Sequence, residues 1–487
     1  MRVYRNYLIA GVLLLSAPSV WSQNYQAIHG SSYAGSLGPA NNPASIVYVP
    51  YNWDVTLFAV QSKEATNAIK IKNYSLLFGK VKNAEIQFLN GNKKRFAYSD
   101  QNIRLLNARI AITPKSTVAF GVNIRGYEFL QSGKYAWNDS MTNVRDFADA
   151  NVSNTPLTAN AMGATWAEVY GTYAQTIKDD GNNILNAGIT FKAVRGLAGA
   201  YAHAQGIEYL PNASNNGIGY LLDGGSLQYG YSSNLDDVNN NSNVRNNIKN
   251  FMRRTFSSVS FDAGIEYIVR SGTDNDYDYG TKIGISLMDI GRVHFRYGDK
   301  SRFATAGKSN VTDSLLQNKF GNINSFNDFN DSLASIANTI SVPGGDFFIS
   351  QPARFILNVD RHLSDNFFLN GELTIPVLPA AVKNKLYLKQ MNLLAITPRW
   401  ENRKFGAYLP VQFNQAKQFW IGAAFKAGPL LFGVHNIGNL FLKNSTQNGG
   451  FYLAVTIRPG SATDKSSTYD SEKMNRRERK KLDCPRL

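Results

Sequence analysis

After its first 22 residues the chain contains no stretch of about 18 consecutive apolar residues, so no helical membrane span is encoded. It has a single cysteine, Cys484, near the end of the chain, so no internal disulfide can form and that thiol could pair only with another chain. Charged residues make up only 18% of the sequence, and the five histidines, His29, His203, His294, His362 and His435, are scattered without ligand spacing. Asp274, Asp276 and Asp278 resemble a calcium loop until the position that needs glycine, which is Tyr279, and the twelfth, which is Ile285. No Gly-x-Ser-x-Gly stretch, P-loop or dinucleotide fingerprint occurs. Neither a catalytic residue, a metal site nor a cofactor is therefore expected.

What is present is aromatic and glycine-rich: 28 Phe, 25 Tyr and 40 Gly. Arg2 and Arg5 precede a short apolar run over 8–15, followed by Ser16, Ala17 and Pro18. Val20 and Ser22 flank Trp21 as a signal peptidase accepts, which predicts cleavage between Ser22 and Gln23. The run is too short to cross ~30 Å of hydrocarbon, and no cysteine follows it to carry a lipid anchor. Export turns the net charge of +16 away from nucleic acid and towards anionic lipid head groups or lipopolysaccharide.

The informative pattern has a period of two. Val118, Phe120, Val122 and Ile124 alternate with Thr117, Ala119, Gly121 and Asn123. The same holds over 185–193 and 258–269, and in shorter form over 105–113, 282–287, 353–360 and 419–426. Successive side chains of a strand point to opposite faces, so each segment has one apolar and one polar or glycine-rich face. Short connections at 114–116, 179–183, 363–366, 401–404 and 427–429 separate long ones at 131–162, 197–256, 298–351 and 377–389. That rhythm predicts a transmembrane antiparallel β-barrel of about 14–16 strands over 51–459, with tight turns on the periplasmic side and long external loops. The polar faces then put Arg109, Arg125, Lys192, Lys282, Arg354 and Lys426 in the lumen with Asp262, Glu266, Asp360 and Glu372, because Arg or Lys facing lipid costs ~2–4 kcal/mol near the midplane.

The final strand, 448–457, places Asn448, Gly450, Leu453 and Val455 in the polar-x-Gly-x-x-apolar-x-apolar spacing that resembles the assembly signal of bacterial outer-membrane barrels. A tail over 460–487 follows, small and polar at first and then basic through Arg476, Arg477, Arg479, Lys480 and Lys481. It reads as a solvated periplasmic segment, with a contact to an acidic partner or to the inner leaflet as the alternative. Residues 23–50 precede the first strand and carry a glycine- and serine-rich stretch, then Asn42-Pro43-Ala44. Here the sequence resembles the FadL-type family of fatty-acid and hydrocarbon channels. That resemblance implies an N-terminal hatch plugging a 14-stranded barrel, with Asn42, Pro43 and Ala44 at its turn. Within 298–351, Phe329, Leu333, Ile336 and Ile340 recur at helical spacing. The resemblance makes this face a candidate external landing site for ligand; a lid packed on the barrel rim is the alternative.

The likeness extends to barrels associated with type IX secretion, which act as partners rather than channels. Residues 285–295 (ISLMDIGRVHF), Pro398-Arg399 and 432–436 look closer still to a little-characterised family of envelope barrels that brings no established activity. Two functions follow as expectations for an outer-membrane protein of a Gram-negative-type bacterium. One is a channel for passive passage of small hydrophobic molecules. The other is a non-transporting barrel that serves as a subunit or scaffold for other envelope proteins.

Overall fold

The computed structural model describes residues 26–78, 83–212, 219–236, 244–271, 279–308, 310–377, 386–443 and 447–459. The expected signal peptide and its cleavage point, the Asp274–Asp278 turn, the basic tail and Cys484 lie outside the described residues.

The alternating segments pair edge to edge into one closed antiparallel barrel of 14 strands. In chain order these are β1 (Trp53–Thr66), β2 (Gly91–Thr113), β3 (Ser116–Trp137), β4 (Leu157–Asp179), β5 (Asn183–Pro211), β6 (Ser257–Val269), β7 (Thr281–Arg296), β8 (Arg354–Ser364), β9 (Phe367–Pro376) and β10 (Leu393–Glu401). Then come β11 (Phe405–Tyr408 with Val411–Asn414), β12 (Phe419–Ile421 with Ala423–Ala427), β13 (Leu430–Val434) and β14 (Phe451–Ile457). Both pieces of β11 pair with β10, and the break between them falls at Pro410, which has no N–H to give the ladder. Closure is made by β14 on β1, in the register Val60↔Leu453 and Ala59↔Ala454. A closed ladder leaves no unpaired edge, the condition for crossing hydrocarbon with strands. No helix among the described residues is long and apolar enough to cross a membrane.

The two faces are inverted relative to a water-soluble protein. Ile112, Phe120, Val169, Ile189, Phe191, Val259 and Phe425 are exposed outside, while Arg109, Asn123, Thr190, Asp262, Asn358 and Glu372 are buried inside. On β2 the outward apolar series runs from Ile112 to Ile103 before Gln101 and Ser99 take over. Nine steps of ~3.3 Å at a tilt of ~40° span about 23 Å, close to the ~25 Å apolar band of an outer-membrane barrel.

The wall is not level. Strands β2 to β5 continue well past the band, whereas β8 to β14 stop near its edge. The stretches 131–162 and 197–256, expected as loops, are therefore partly strand: β3 runs to Trp137, β4 begins at Leu157, β5 runs to Pro211, and Tyr220–Tyr231 pairs beside it. Above the membrane neither face meets lipid, so apolar alternation fades although the ladder continues. Arg302–Gly307 and Ala337–Ser341 extend this upper sheet outside the barrel.

Candidate functional site

The lumen is filled from its lower end by the chain's own N-terminal segment. Residues 26–46 form three short 3-10 turns, Gln26–Ile28, Gly35–Ala40 and Pro43–Ile46. Asn42 starts the last one: its Oδ1 accepts the Ala44 N–H at 2.9 Å, and Pro43 sits where a missing N–H does no harm. The other end of the Asn42 amide donates to the Ile265 carbonyl of the wall at 2.9 Å. The wall is notched to receive this turn. Gly188 faces Gly264 across the ladder, and a Cβ on Gly188 would lie 2.6 Å from the Pro43 carbonyl carbon. Gly264 and Gly284 close against the Asn42 amide in the same way.

Polar ties fix the rest of the segment. Glu372 receives His29 at 2.6 Å and the Asn41 amide at 2.8 Å. The Ser31 hydroxyl donates to Glu401 at 2.8 Å, and the Ser36 N–H to Asp54 at 2.6 Å. Lys282 donates to the Ser32 hydroxyl at 3.0 Å, and Arg354 and Arg104 donate to the carbonyls of Ala40 and Leu37. The segment is thus held by hydrogen bonds spread around the wall, most of them to groups that are charged or carry a backbone dipole.

Above the N-terminal segment lies a layer of ions centred on Asp289. Its carboxylate receives Arg125 at 2.6 and 2.8 Å, Lys192 at 2.6 Å and Arg354. Asp262 accepts Lys192 at 2.8 Å and the Asp289 N–H at 2.7 Å, and Glu168 lies 3.5 Å from Arg125. A second cluster places Arg399 between Asp360 (2.7 Å) and Glu401 (2.8 Å), with the Tyr279 hydroxyl donating to Asp360 at 2.6 Å. Arg109 faces Asp54 at 3.2 Å. Lys426 donates to the Asn402 carbonyl at 2.8 Å and sits 4.0 Å over the Tyr33 ring. All ten lumen charges named from the sequence, Glu266 among them, are buried inside the barrel.

Strict alternation missed Asp289 because it puts that residue on the lipid face. The structure has a bulge between Leu287 and Ile290, with Asp289 in the left-handed region at φ 59°, which turns the carboxylate inward. Arg104 is brought in by a similar slip at Leu106, φ 45°. A carboxylate in phase with lipid-facing residues is the sequence signal for such a bulge. Also unread were Asp54, Glu168, Arg399 and Glu401.

A third layer, apolar and aromatic, lies higher up in the lumen. Tyr127, Phe129, Met162, Trp166, Tyr201, Phe295 and Phe347 project into it and pack with Leu386 and Leu388. Phe347 is its hub, with ring centroids 4.7 Å from Tyr297, 5.4 Å from Phe295 and 5.7 Å from Tyr201. Arg125 joins the two layers, its guanidinium 5.0 Å from the Trp166 ring. Leu386 and Leu388 come from the β9–β10 connection, which folds inward: both pair with Ser350 at 3.0 Å, and the Tyr127 hydroxyl donates to the Lys389 carbonyl at 2.7 Å. Among the described residues, one cavity lies among the ions and one beside the N-terminal segment, of about 20 Å³ each. Each takes a water or two, far below the ~300 Å³ of a small-molecule site.

The external helix expected over 329–340 is shorter. It spans Phe326–Ile336, started by the Ser325 hydroxyl accepting the Asp328 N–H at 3.1 Å. The Asp328 carboxyl is held below the usual range, chiefly by the N–H of Asn324. Ile340 lies on the strand Ala337–Ser341 instead, because the chain leaves the helix at Ala337 to pair with Arg302–Gly307. Leu333 and Ile336 are buried, and Phe329 and Ile340 pack beside them against Tyr229, Ala304 and Leu316. The face thus packs against the protein's own upper sheet and the helix Asp313–Phe320.

Residues 39–435 match the model of a family described as a family of unknown function (DUF5723). No curated protein matches the chain. Among solved structures the chain is similar to the toluene transporter TbuX of Ralstonia pickettii (11% identity, 90% of this chain and 98% of that chain covered, TM-score 0.42). It is similar also to a FadL homologue of Pseudomonas aeruginosa (13%, 91% and 99%, 0.41) and to the toluene transporter TodX of P. putida (8%, 85% and 91%, 0.37).

Proposed function

We propose, for a chain that belongs to this family of unknown function, that the protein is an outer-membrane barrel whose passage is shut at rest and opens to small apolar molecules. The observation that carries the reading is the order of layers in the lumen: an aromatic and aliphatic layer lies directly over a ring of ions, between two pieces of chain that are not part of the wall. A barrel built only as a membrane anchor needs no apolar layer facing its axis. A conduit for apolar solutes does, because lipopolysaccharide slows their direct crossing. The hatch below and the 386–392 segment above are tied by hydrogen bonds to the wall and can leave it without breaking the ladder.

Ser36 on the hatch and Thr56 on β1 have hydroxyl oxygens 2.8 Å apart. In a Cys484→Ser background, Ser36→Cys with Thr56→Cys places two thiols where a disulfide can lock the hatch. Uptake of a fluorescent apolar probe by vesicles should fall on oxidation and return on reduction. Uptake that ignores the lock would refute hatch gating.

A second reading, a closed scaffold barrel in an envelope complex, is favoured by the water-sized cavities among the ions and beside the N-terminal segment. It expects no probe uptake in either redox state and recovery of other envelope proteins with the barrel from native membranes.

A further inference from the structure

The helix Val244–Arg253, which precedes β6, carries no acidic residue in its first turn and divides its surface by chemistry. Arg245, Lys249 and Arg253 fall within one arc at helical spacing, and Ile248, Phe251 and Met252 fill the next arc. The three cations are exposed, and no carboxylate of the described residues lies within ion-pair distance of them. Ile248, which would be expected inside, is 59% exposed.

The place of the helix is fixed by the wall. Arg195, on the outer face of β5, donates to the Met252 carbonyl at 3.0 Å and to the Thr255 hydroxyl at 2.6 Å, clamping the helix end against the outside of the barrel. The first lipid-facing side chains of β6, Val259 and Phe261, follow within a few residues, with Phe191 beside them on β5. The helix therefore sits at the upper edge of the apolar band. Arg292 and Arg296 project outward from β7 at the same rim, over the rings of Phe348 and Phe256. Asp346 pairs with Arg296 and His294.

We propose that this helix, with Arg195, Arg292 and Arg296, is a binding surface for the phosphate head groups of the outer-leaflet lipid. The helix lies in the interface with Ile248, Phe251 and Met252 in the acyl boundary and its cations among the phosphates. Two observations converge on that occupant. The apolar arc continues the lipid-facing band, which an acidic protein partner would not require, and the excess of cations complements a phosphorylated leaflet. The inference rests on the outer-membrane placement above and is independent of whether the lumen opens.

The test uses the full chain, purified in mild detergent, stripped of lipid and titrated with bisphosphorylated lipid A, dephosphorylated lipid A and inorganic phosphate. The variant Arg245→Ser, Lys249→Ser, Arg253→Ser should bind bisphosphorylated lipid A at least about tenfold more weakly. A control that removes three exposed cations from the opposite rim, Lys115→Ser, Lys178→Ser, Lys404→Ser, should bind as the unaltered chain does. β-Sheet circular dichroism verifies that both variants are folded. Equal binding by the helix variant, or equal binding of dephosphorylated lipid A by the unaltered chain, would overturn the proposal. So would competition by inorganic phosphate at the concentration of the lipid, which would make the site one for a free anion. A chain that stays soluble without detergent would defeat the membrane placement itself.

Discussion

Asp289→Asn isolates the electrostatics of the lumen. Asparagine keeps the shape of the side chain and tolerates the left-handed backbone at φ 59°, so strain is not added. What disappears is the negative charge that Arg125, Lys192 and Arg354 share. Arg125 retains Glu168 at 3.5 Å and Lys192 retains Asp262 at 2.8 Å. Arg354 has the Ala40 carbonyl at 3.1 Å and, among the described residues, no second carboxylate within ion-pair distance. Removing one partner from a buried ion pair costs about 3–5 kcal/mol, and the two fallback contacts place this case near the lower end, about 3 kcal/mol. The urea midpoint for unfolding from lipid vesicles, followed by tryptophan fluorescence, reads it, since Trp166 lies against Arg125. With a slope of ~1–3 kcal/mol per molar, the midpoint should drop by about 1–3 M. A shift below ~0.3 M would mean that water, not Asp289, neutralises the cations, and the ionic layer would cease to explain the packing. Asp289→Ala should cost more than Asp289→Asn, because it adds backbone strain to the same loss of charge.

Three further substitutions act on the N-terminal segment, the helix Phe326–Ile336 and the lipid face. Gly188→Val puts side-chain carbons where Pro43 sits, 2.6 Å from the first of them; the hatch should be displaced, read as faster protease cleavage within residues 26–46 of an otherwise folded barrel. Leu333→Asp buries an unpaired carboxylate in the upper sheet and should open that region to proteolysis between 313 and 341 while leaving the barrel's circular dichroism unchanged. Ile265→Lys sets a cation in the lipid band, where Ile265 is 46% exposed, and should destabilise the barrel by ~2–4 kcal/mol in vesicles. An effect under ~0.5 kcal/mol would place that face in water.

How much of this was legible follows from what each residue meets. Lipid on one side and a packed polar lumen on the other impose strict alternation, so β3, β5 and β6 could be read from the order of Val118, Phe120, Ile189, Phe191, Val259 and Phe261 alone. The ten lumen charges follow from the same phase. The pattern fails where the phase slips, and Asp289 and Arg104 lie at such slips, although they are among the residues that tie the wall together. It fails also above the membrane, where both faces meet water or protein and the upper halves of β3 to β5 look like loops. The inward fold of Leu386 and Leu388 leaves no local trace, since two leucines in a long connection serve equally well on a surface. The helix at Phe329 was visible in its spacing, yet Ile340 continued that spacing by coincidence while the backbone had already turned to a strand.

The N-terminal segment occupies the lumen of a membrane-spanning barrel. Current through a planar bilayer, recorded for the complete chain and for a form lacking residues 23–50, measures this directly. The complete chain should conduct almost nothing, and the shortened one should show frequent stepwise openings. Identical silence from both would mean that the segment does not seal the barrel, and large steady currents from the complete chain would mean that the lumen is open.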